Sequence, residues 1–147
     1  MSIVISVLVL LCDQFIKTLI RGYPVGERLF ALPPLVEVVH CTNTGAAFSI
    51  LRGNTGLIVL FSILLLIVIA ICLTCFVRLT RPARVAVACL FGGGIGNLID
   101  RLLFGSVTDY IHLLLINFPV FNLADIAITL SVLALLYLLA SGRLERE

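Results

Sequence analysis

Charge is scarce in this chain. Asp, Glu, Lys and Arg make up 12% of its 147 residues, while 61% are hydrophobic and the mean hydropathy is +1.23. An ordinary soluble domain carries about 25% charged residues. A chain this small cannot hide so much apolar surface inside a water-exposed fold, so lipid must be the solvent for much of it. The net charge of +2, with no basic stripe or aromatic-interleaved basic patch, argues against a nucleic-acid partner. Histidine is nearly absent: His40 and His112 are the only two. There is no HExxH and no second ligand at a sensible spacing, so neither a metal nor another cofactor is expected. No GxSxG occurs, and Ser49 and Ser106 have no evident Lys or His base. His112 lies near Asp109 but reads as a surface loop residue. Cys12, Cys72, Cys75 and Cys89 lie in apolar runs and Cys41 stands alone in a loop, which gives no disulfide framework. The first stretch lacks a basic n-region and a small-residue cleavage site and holds Asp13 and Lys17. It reads as a retained helix, not a signal peptide.

What the chain has in abundance is long apolar runs. Four segments, about 3–20, 55–77, 85–104 and 121–140, are each long enough for one membrane crossing of about 20 residues. The second has no charge at all. The expected fold is therefore an all-α polytopic membrane protein of one domain, 1–147, with four transmembrane helices. Four crossings put both termini on one side. Arg78, Arg81 and Arg84 between the second and third segments, and Arg143 and Arg146 in the tail, assign that side to the cytoplasm. The loop 105–120 has no Lys or Arg, as an outer loop should, although the first outer loop carries Arg21, Arg28 and Arg52. That first loop, 21–54, is rich in Gly and Pro. Val36, Val38 and Val39, then Ala47, Phe48 and Ile50, flank a Thr-Asn-Thr-Gly turn, the pattern of short strands or a small β-like platform at the outer surface.

An ionisable group in a bilayer costs roughly 2.5–3.5 kcal/mol on insertion scales and marks a functional position by default. Asp13 and Lys17 are spaced i, i+4, share a helix face and can pair. They either fix the helix as a salt bridge or face an active site, and Lys17 is near enough to the outer end to snorkel. Gly92 and Gly96 form a GxxxG pair that permits close helix approach. Asn97 shares a face with Asp100 and Arg101, whereas Asp100 and Arg101 do not face each other. This cluster reads as a network orienting the outer end of the third helix, with Asp100 structural. Asp109 and Asp125 fall at the same outer face, Asp125 in the first turn of the fourth helix, where the dipole favours negative charge. Asn122, three residues earlier, shares its face. Two carboxylates held together cannot both ionise cheaply. One keeps a proton, the other acts as general base on a shared water, and the pair can hydrolyse an amide without metal or nucleophilic side chain.

Spacing alone leaves alternatives open. Asp125 could be only a helix-start residue and Asp109 a loop acid. A small proton-coupled carrier uses the same residue types, and a lipid-binding assembly protein would need neither acid.

Five ordered stretches narrow the choice. Asp13-Gln-Phe-Ile-Lys17, Asn43-Thr-Gly-Ala-Ala-Phe48, Gly96-Asn-Leu-Ile-Asp-Arg101, Val107-Thr-Asp109-Tyr and Phe121-Asn-Leu-Ala-Asp125 together make the chain resemble the lipoprotein signal peptidase (signal peptidase II) family of bacteria over nearly its whole length. The resemblance implies an aspartic endopeptidase of the bacterial cytoplasmic membrane with its active site at the outer face. Asp109 and Asp125 would be its catalytic pair. Asp13, Lys17, Asn43, Gly96, Asn97, Arg101 and Asn122 would line or support the site. The implied substrate is a prolipoprotein cut just before a diacylglyceryl-modified cysteine, met within membrane lipid by a monomeric enzyme. The apolar stretch 111–120 and the platform around Phe48 are then plausible walls for acyl chains.

Overall fold

A computed structural model describes residues 2–45, 53–75 and 78–144. Phe48, Ala47, Ile50 and Ser49, and with them that part of the expected platform, lie outside these residues. The described chain forms four helices, α1 (Ser2–Arg21), α2 (Thr55–Cys75), α3 (Arg81–Phe104) and α4 (Leu123–Ala140). It also forms three strands, β1 (Arg28–Leu32), β2 (Val36–Asn43) and β3 (Val107–Leu113). Among the described residues α1, α3 and α4 are long and apolar enough to cross a membrane, and the apolar part of α2 is shorter, Thr55–Ile71.

Helix limits follow local chemistry. Helix α3 starts at Arg81, a turn earlier than the expected residue 85, because Pro82 occupies its first turn, where a missing N–H has no helical partner to lose. It ends where expected, at Phe104. Gly105 takes the left-handed conformation with φ 72°, and its N–H donates to the Arg101 carbonyl at 3.1 Å. Helix α4 starts two residues later than expected, because Phe121 exchanges both backbone hydrogen bonds with Ile111 (2.8 and 3.0 Å). Asn122 is then its N-cap in a reciprocal capping box with Asp125.

The sheet departs most from the all-helical expectation. Its order is β1-β2-β3, both pairings antiparallel. The third strand comes from the segment read as a loop, so Asp109 sits on a strand directly opposite Cys41 of β2. His112 is likewise a strand residue. It is half-buried opposite Glu37, whose Oε1 lies 2.8 Å from its Nδ1, and does not stand free on the surface.

The helices invert the usual solubility pattern. Large apolar side chains such as Ile3, Leu65, Leu130 and Leu133 face outward, while Asp13, Lys17, Asp100 and Asn122 are 0% exposed. Helix α3 is the hub, packing along α1 and α4, with α2 leaning on it more lightly. Its glycines set those approaches. A Cβ at Gly92 would lie 2.6 Å from the Ser6 carbonyl oxygen, one at Gly96 2.6 Å from Asp13 Oδ2, and one at Gly93 2.6 Å from the Ala124 carbonyl oxygen. The GxxxG pair therefore faces α1, and the intervening Gly93 faces α4. Gly94 differs, since the three atoms nearest an added Cβ are all side-chain carbons of Leu66 in α2, the nearest at 3.1 Å. Gly93→Ala should cost about 1–3 kcal/mol through overpacking against backbone, while Gly94→Ala should stay within about 1 kcal/mol of wild type because a leucine methyl can move and alanine favours helix. Thermal unfolding of both variants in one detergent checks this. Equal losses would contradict it.

Candidate active site

The polar core begins on α1. Lys17 and Asp13 are one helical turn apart, and Lys17 Nζ reaches Asp13 Oδ2 at 2.8 Å. The same ammonium lies 3.5 Å from Asp100 Oδ2 and donates to Asn97 Oδ1 at 2.8 Å. Lys17 does not snorkel: it is 0% exposed, because three acceptors from α1 and α3 converge on it and compensate its burial. Asp13 spends its other oxygen across the bundle, where Oδ1 accepts from the Ala124 N–H at 3.0 Å, one of the orphan donors in the first turn of α4.

Asp100 is a structural hub, as its spacing suggests, but its partners are not Arg101. Its carboxylate accepts from Gln14 Nε2 (2.9 Å), from Arg21 Nη1 (3.3 Å) and from the Thr108 backbone N–H (3.0 Å). Arg21 also donates to Thr108 Oγ1 at 3.2 Å and stacks over Phe104, 4.5 Å from the ring centre. Asp100 thereby ties the ends of α1 and α3 to the start of β3, one residue before Asp109. Arg101 points the other way, donating to the Gly45 carbonyl at 3.0 Å and to the Asn97 carbonyl at 3.3 Å. Its buried Nε has no hydrogen-bond partner among the described residues.

Two carboxylates meet beyond this network. Asp109 is 2% exposed and accepts one amide donor on each oxygen, Asn122 Nδ2 at 2.7 Å and Asn43 Nδ2 at 3.0 Å. Asp125 accepts from Asn97 Nδ2 at 2.8 Å and from the Asn122 backbone N–H at 3.2 Å. Asn122 links the two, since its Oδ1 accepts the Asp125 N–H at 2.9 Å while its amide donates to Asp109. The amide orientations follow from chemistry. An ammonium only donates, so Asn97 must turn its oxygen to Lys17 and its NH2 to Asp125. The capping bond to a backbone N–H likewise forces the NH2 of Asn122 toward Asp109. Burial, and after it the charge of Asp125, push the Asp109 carboxyl up to about 7, with the Asn43 and Asn122 donors opposing this less strongly. Tyr110, next on the strand, is pushed up to about 12, chiefly by burial, and its hydroxyl oxygen accepts the Leu123 N–H at 3.1 Å.

Both aspartates open onto a cavity of about 1000 Å³ that also takes Asn43, Asn97 and Arg101 into its wall. It runs between α2 and α4 and is otherwise mainly apolar. Leu113, Phe118 and Val120 from the stretch expected to form a wall do line it. Of the residues named from sequence, Asp13, Lys17 and Gly96 form a supporting layer behind the cavity. His112 and His40 belong to other contacts, His40 Nδ1 lying 2.7 Å from the Tyr23 carbonyl. Gln14, Arg21 and Thr108 escaped the sequence reading. Gln14 carries a signal in hindsight, as a polar residue beside Asp13 in an apolar helix.

The chain is similar to known proteins in both sequence and fold. The family model described as signal peptidase (SPase) II matches residues 5–141. The chain is 36% identical to the lipoprotein signal peptidase of Brevibacillus brevis over 147 residues, 97% of each chain. It is 40% identical to that of Dehalococcoides mccartyi over 140 residues, 89% of this chain and 84% of that one. A bacterial membrane enzyme solved by the in meso method at 2.3 Å resolution superposes with a TM-score of 0.88 at 32% identity, covering 99% of this chain and 93% of that one.

The raised Asp109 carboxyl has a stability consequence. Its folded value of about 7 lies above the ordinary 3.8, so the folded state holds the proton more tightly than the unfolded one. Stability must therefore fall as pH rises from about 4 to 7. Asp109→Asn removes that loss. Its melting temperature relative to wild type should be several degrees higher at pH 8 than at pH 5, and a pH-independent difference would contradict the assignment.

Proposed function

This chain belongs to the signal peptidase II family, and we propose that it removes signal peptides from prolipoproteins by an aspartic mechanism in which Asp109 and Asp125 activate one water. The observation that carries this reading is Asn122, one buried residue whose side-chain amide donates to the Asp109 carboxylate and whose backbone N–H donates to the Asp125 carboxylate, beside a cavity that is otherwise mainly apolar. With the Asp109 carboxyl pushed up to about 7, the pair keeps one proton up to about neutral pH. The ionised carboxylate takes a proton from the water as it attacks the scissile carbonyl. The protonated one hydrogen-bonds that carbonyl oxygen, and the proton taken from water passes to the leaving amine. Asn97, Asn43 and Asn122 hold both carboxylates in position. Arg101, with Nε unpartnered among the described residues and the cavity beside it, is suited to a substrate backbone carbonyl.

The setting follows from the membrane. Four crossings by α1–α4, within one domain, put the Arg-rich turn 78–84 and the tail in the cytoplasm. The sheet and dyad are then at the outer face of the bacterial cytoplasmic membrane. A bond beside a diacylglyceryl-cysteine is held at that surface, and the cavity between α2 and α4 opens the dyad to substrate arriving within the bilayer. No metal or other cofactor is required, and a monomer supplies every group named.

Incubating purified protein with a diacylglyceryl-modified prolipoprotein and following the substrate's mass tests this. Cleavage just before the lipidated cysteine is expected, with Asp109→Asn and Asp125→Asn each reducing the rate by about 10²–10⁴-fold. Activity retained in either variant would show that another group does the chemistry. The rate should also fall as pH rises through about 7, where the pair loses its shared proton. A rate still climbing to pH 9 would remove the protonated carboxyl from the mechanism.

A further inference from the structure

The chain after α4 folds back on the bundle. Gly142 takes the left-handed conformation with φ 65°. Its N–H donates to the Leu139 carbonyl at 3.1 Å, and the Arg143 N–H donates to the Leu138 carbonyl at 2.8 Å. This crossed pair of bonds is the Schellman ending of a helix at glycine. It turns the next residues toward the start of α3. There the Thr80 N–H donates to the Leu144 carbonyl at 3.0 Å, and the Thr80 hydroxyl donates to the Arg143 carbonyl at 2.9 Å. Thr80 is the N-cap of α3 but gives that helix no side-chain bond, because its hydroxyl is committed to the tail.

Two features meet at this clasp. The first is charge. The tail brings Arg143 beside the helix start that carries Arg81 and Arg84. Arg84 is one turn from Thr80, to whose carbonyl its N–H donates at 3.0 Å, and its Cβ tilts back toward the clasp. Arg81 and Arg143 are exposed, and Arg84 is half-buried with a buried Nε that has no hydrogen-bond partner among the described residues. No ion pair among the described residues involves any of the three. All six acids among those residues belong to the opposite part of the bundle, Asp13 being the deepest. Glu145 and Glu147 follow in the tail, outside the described residues, with Arg146 between them. The second feature is apolar. Leu144 closes a cavity of about 220 Å³ against Val132, Leu135, Leu136 and Leu139. These four share one face of α4 at i, i+3, i+4 and i+7. The groove therefore starts at the clasp and runs about 10 Å along α4 toward the middle of the membrane.

We propose that this clasp binds one anionic phospholipid of the cytoplasmic leaflet, its phosphate held by Arg81, Arg84 and Arg143 and one acyl chain lying in the groove beside Leu144. The site depends on the membrane placement given above and not on the peptidase chemistry. A free phosphate would neutralise the arginines and leave the groove open. A neutral lipid would fill the groove and leave the arginines without a counterion. An anionic phospholipid does both at one place, with guanidinium forks matched to phosphate oxygens in a basic site between helices at the cytoplasmic side.

Native mass spectrometry of the full-length protein in detergent tests this, with phosphatidylglycerol and acyl-matched phosphatidylcholine as probes. One phosphatidylglycerol should bind more tightly than phosphatidylcholine. Each arginine contributes about fivefold near an anionic lipid, so Arg143→Gln should weaken phosphatidylglycerol binding about fivefold and Arg84→Gln/Arg143→Gln about 25-fold. Arg28→Gln, which removes one charge from the outer platform, should leave it unchanged. Arg143 is exposed in the tail, so its variant keeps the test valid if Arg84→Gln disturbs folding, and unchanged melting of each variant without added lipid checks the fold. Equal affinity for the two lipids would overturn the site. So would a loss in Arg143→Gln no larger than that in Arg28→Gln. Glycerophosphoglycerol, the same headgroup without acyl chains, should bind far more weakly. Binding as tight as that of the whole lipid would reduce the clasp to a phosphate site and overturn the proposal. None of these readouts requires cleavage, so failure here and failure of the peptidase reading are distinguishable.

Discussion

A buried ammonium organises this molecule. Lys17 has no solvent and no acceptor of its own, so its three protons must be met by Asp13, Asp100 and Asn97. Each partner then has one remaining direction in which to act. Asp13 takes a backbone N–H at the start of α4. Asp100 takes the first turn of β3 through the Thr108 N–H. Asn97, with its oxygen fixed on Lys17, turns its amide to Asp125. One cation thus aligns α4 and β3 on α1 and α3. Removing one partner of such a buried set typically costs about 3–5 kcal/mol, because it strands a charge.

The membrane makes this arrangement both necessary and possible. In apolar surroundings a side-chain network cannot be replaced by water, so the polar atoms of Asp13, Lys17, Asn97 and Asp100 meet one another or other groups of the chain. The glycines of α3 allow that closeness. Gly96 has no side chain because Asp13 Oδ2 occupies the place where a Cβ would be. Close packing toward α1 and α4 contrasts with the lighter contact of α2, and on that side the cavity lies. The two carboxylates thus have close-packed support on one side and open apolar space on the other.

Much of this was legible in the sequence for a physical reason: charged and amide residues in apolar helices are costly, so those present stand out. Asp13, Lys17, Asn97, Asp100 and Arg101 were visible in this way, and the i, i+3 spacing of Asn122 and Asp125 foretold a shared helix face that the capping box realises. What was not legible is nonlocal. Val107–Leu113 becomes a strand because β2 offers an edge, and no periodicity within seven residues beside an apolar run can reveal a partner so distant in the chain. Lys17 read as a snorkelling residue because its acceptors Asn97 and Asp100 come from another helix. Arg21 read as a loop charge, although its guanidinium bridges Asp100 and Thr108. The glycine run read as a single GxxxG face, but it meets α1, α4 and Leu66 of α2 at successive positions.

The central claim is that Asp109 and Asp125 share one proton in a buried pair at neutral pH. Infrared titration of protein carrying isotope-labelled aspartate, with Asp109→Asn and Asp125→Asn as references, reads this directly. A protonated aspartyl carboxyl band that persists to about pH 7, is absent from Asp109→Asn and is lost at lower pH in Asp125→Asn, is the expected result. A spectrum in which both carboxyls are already ionised at pH 5 would contradict the account.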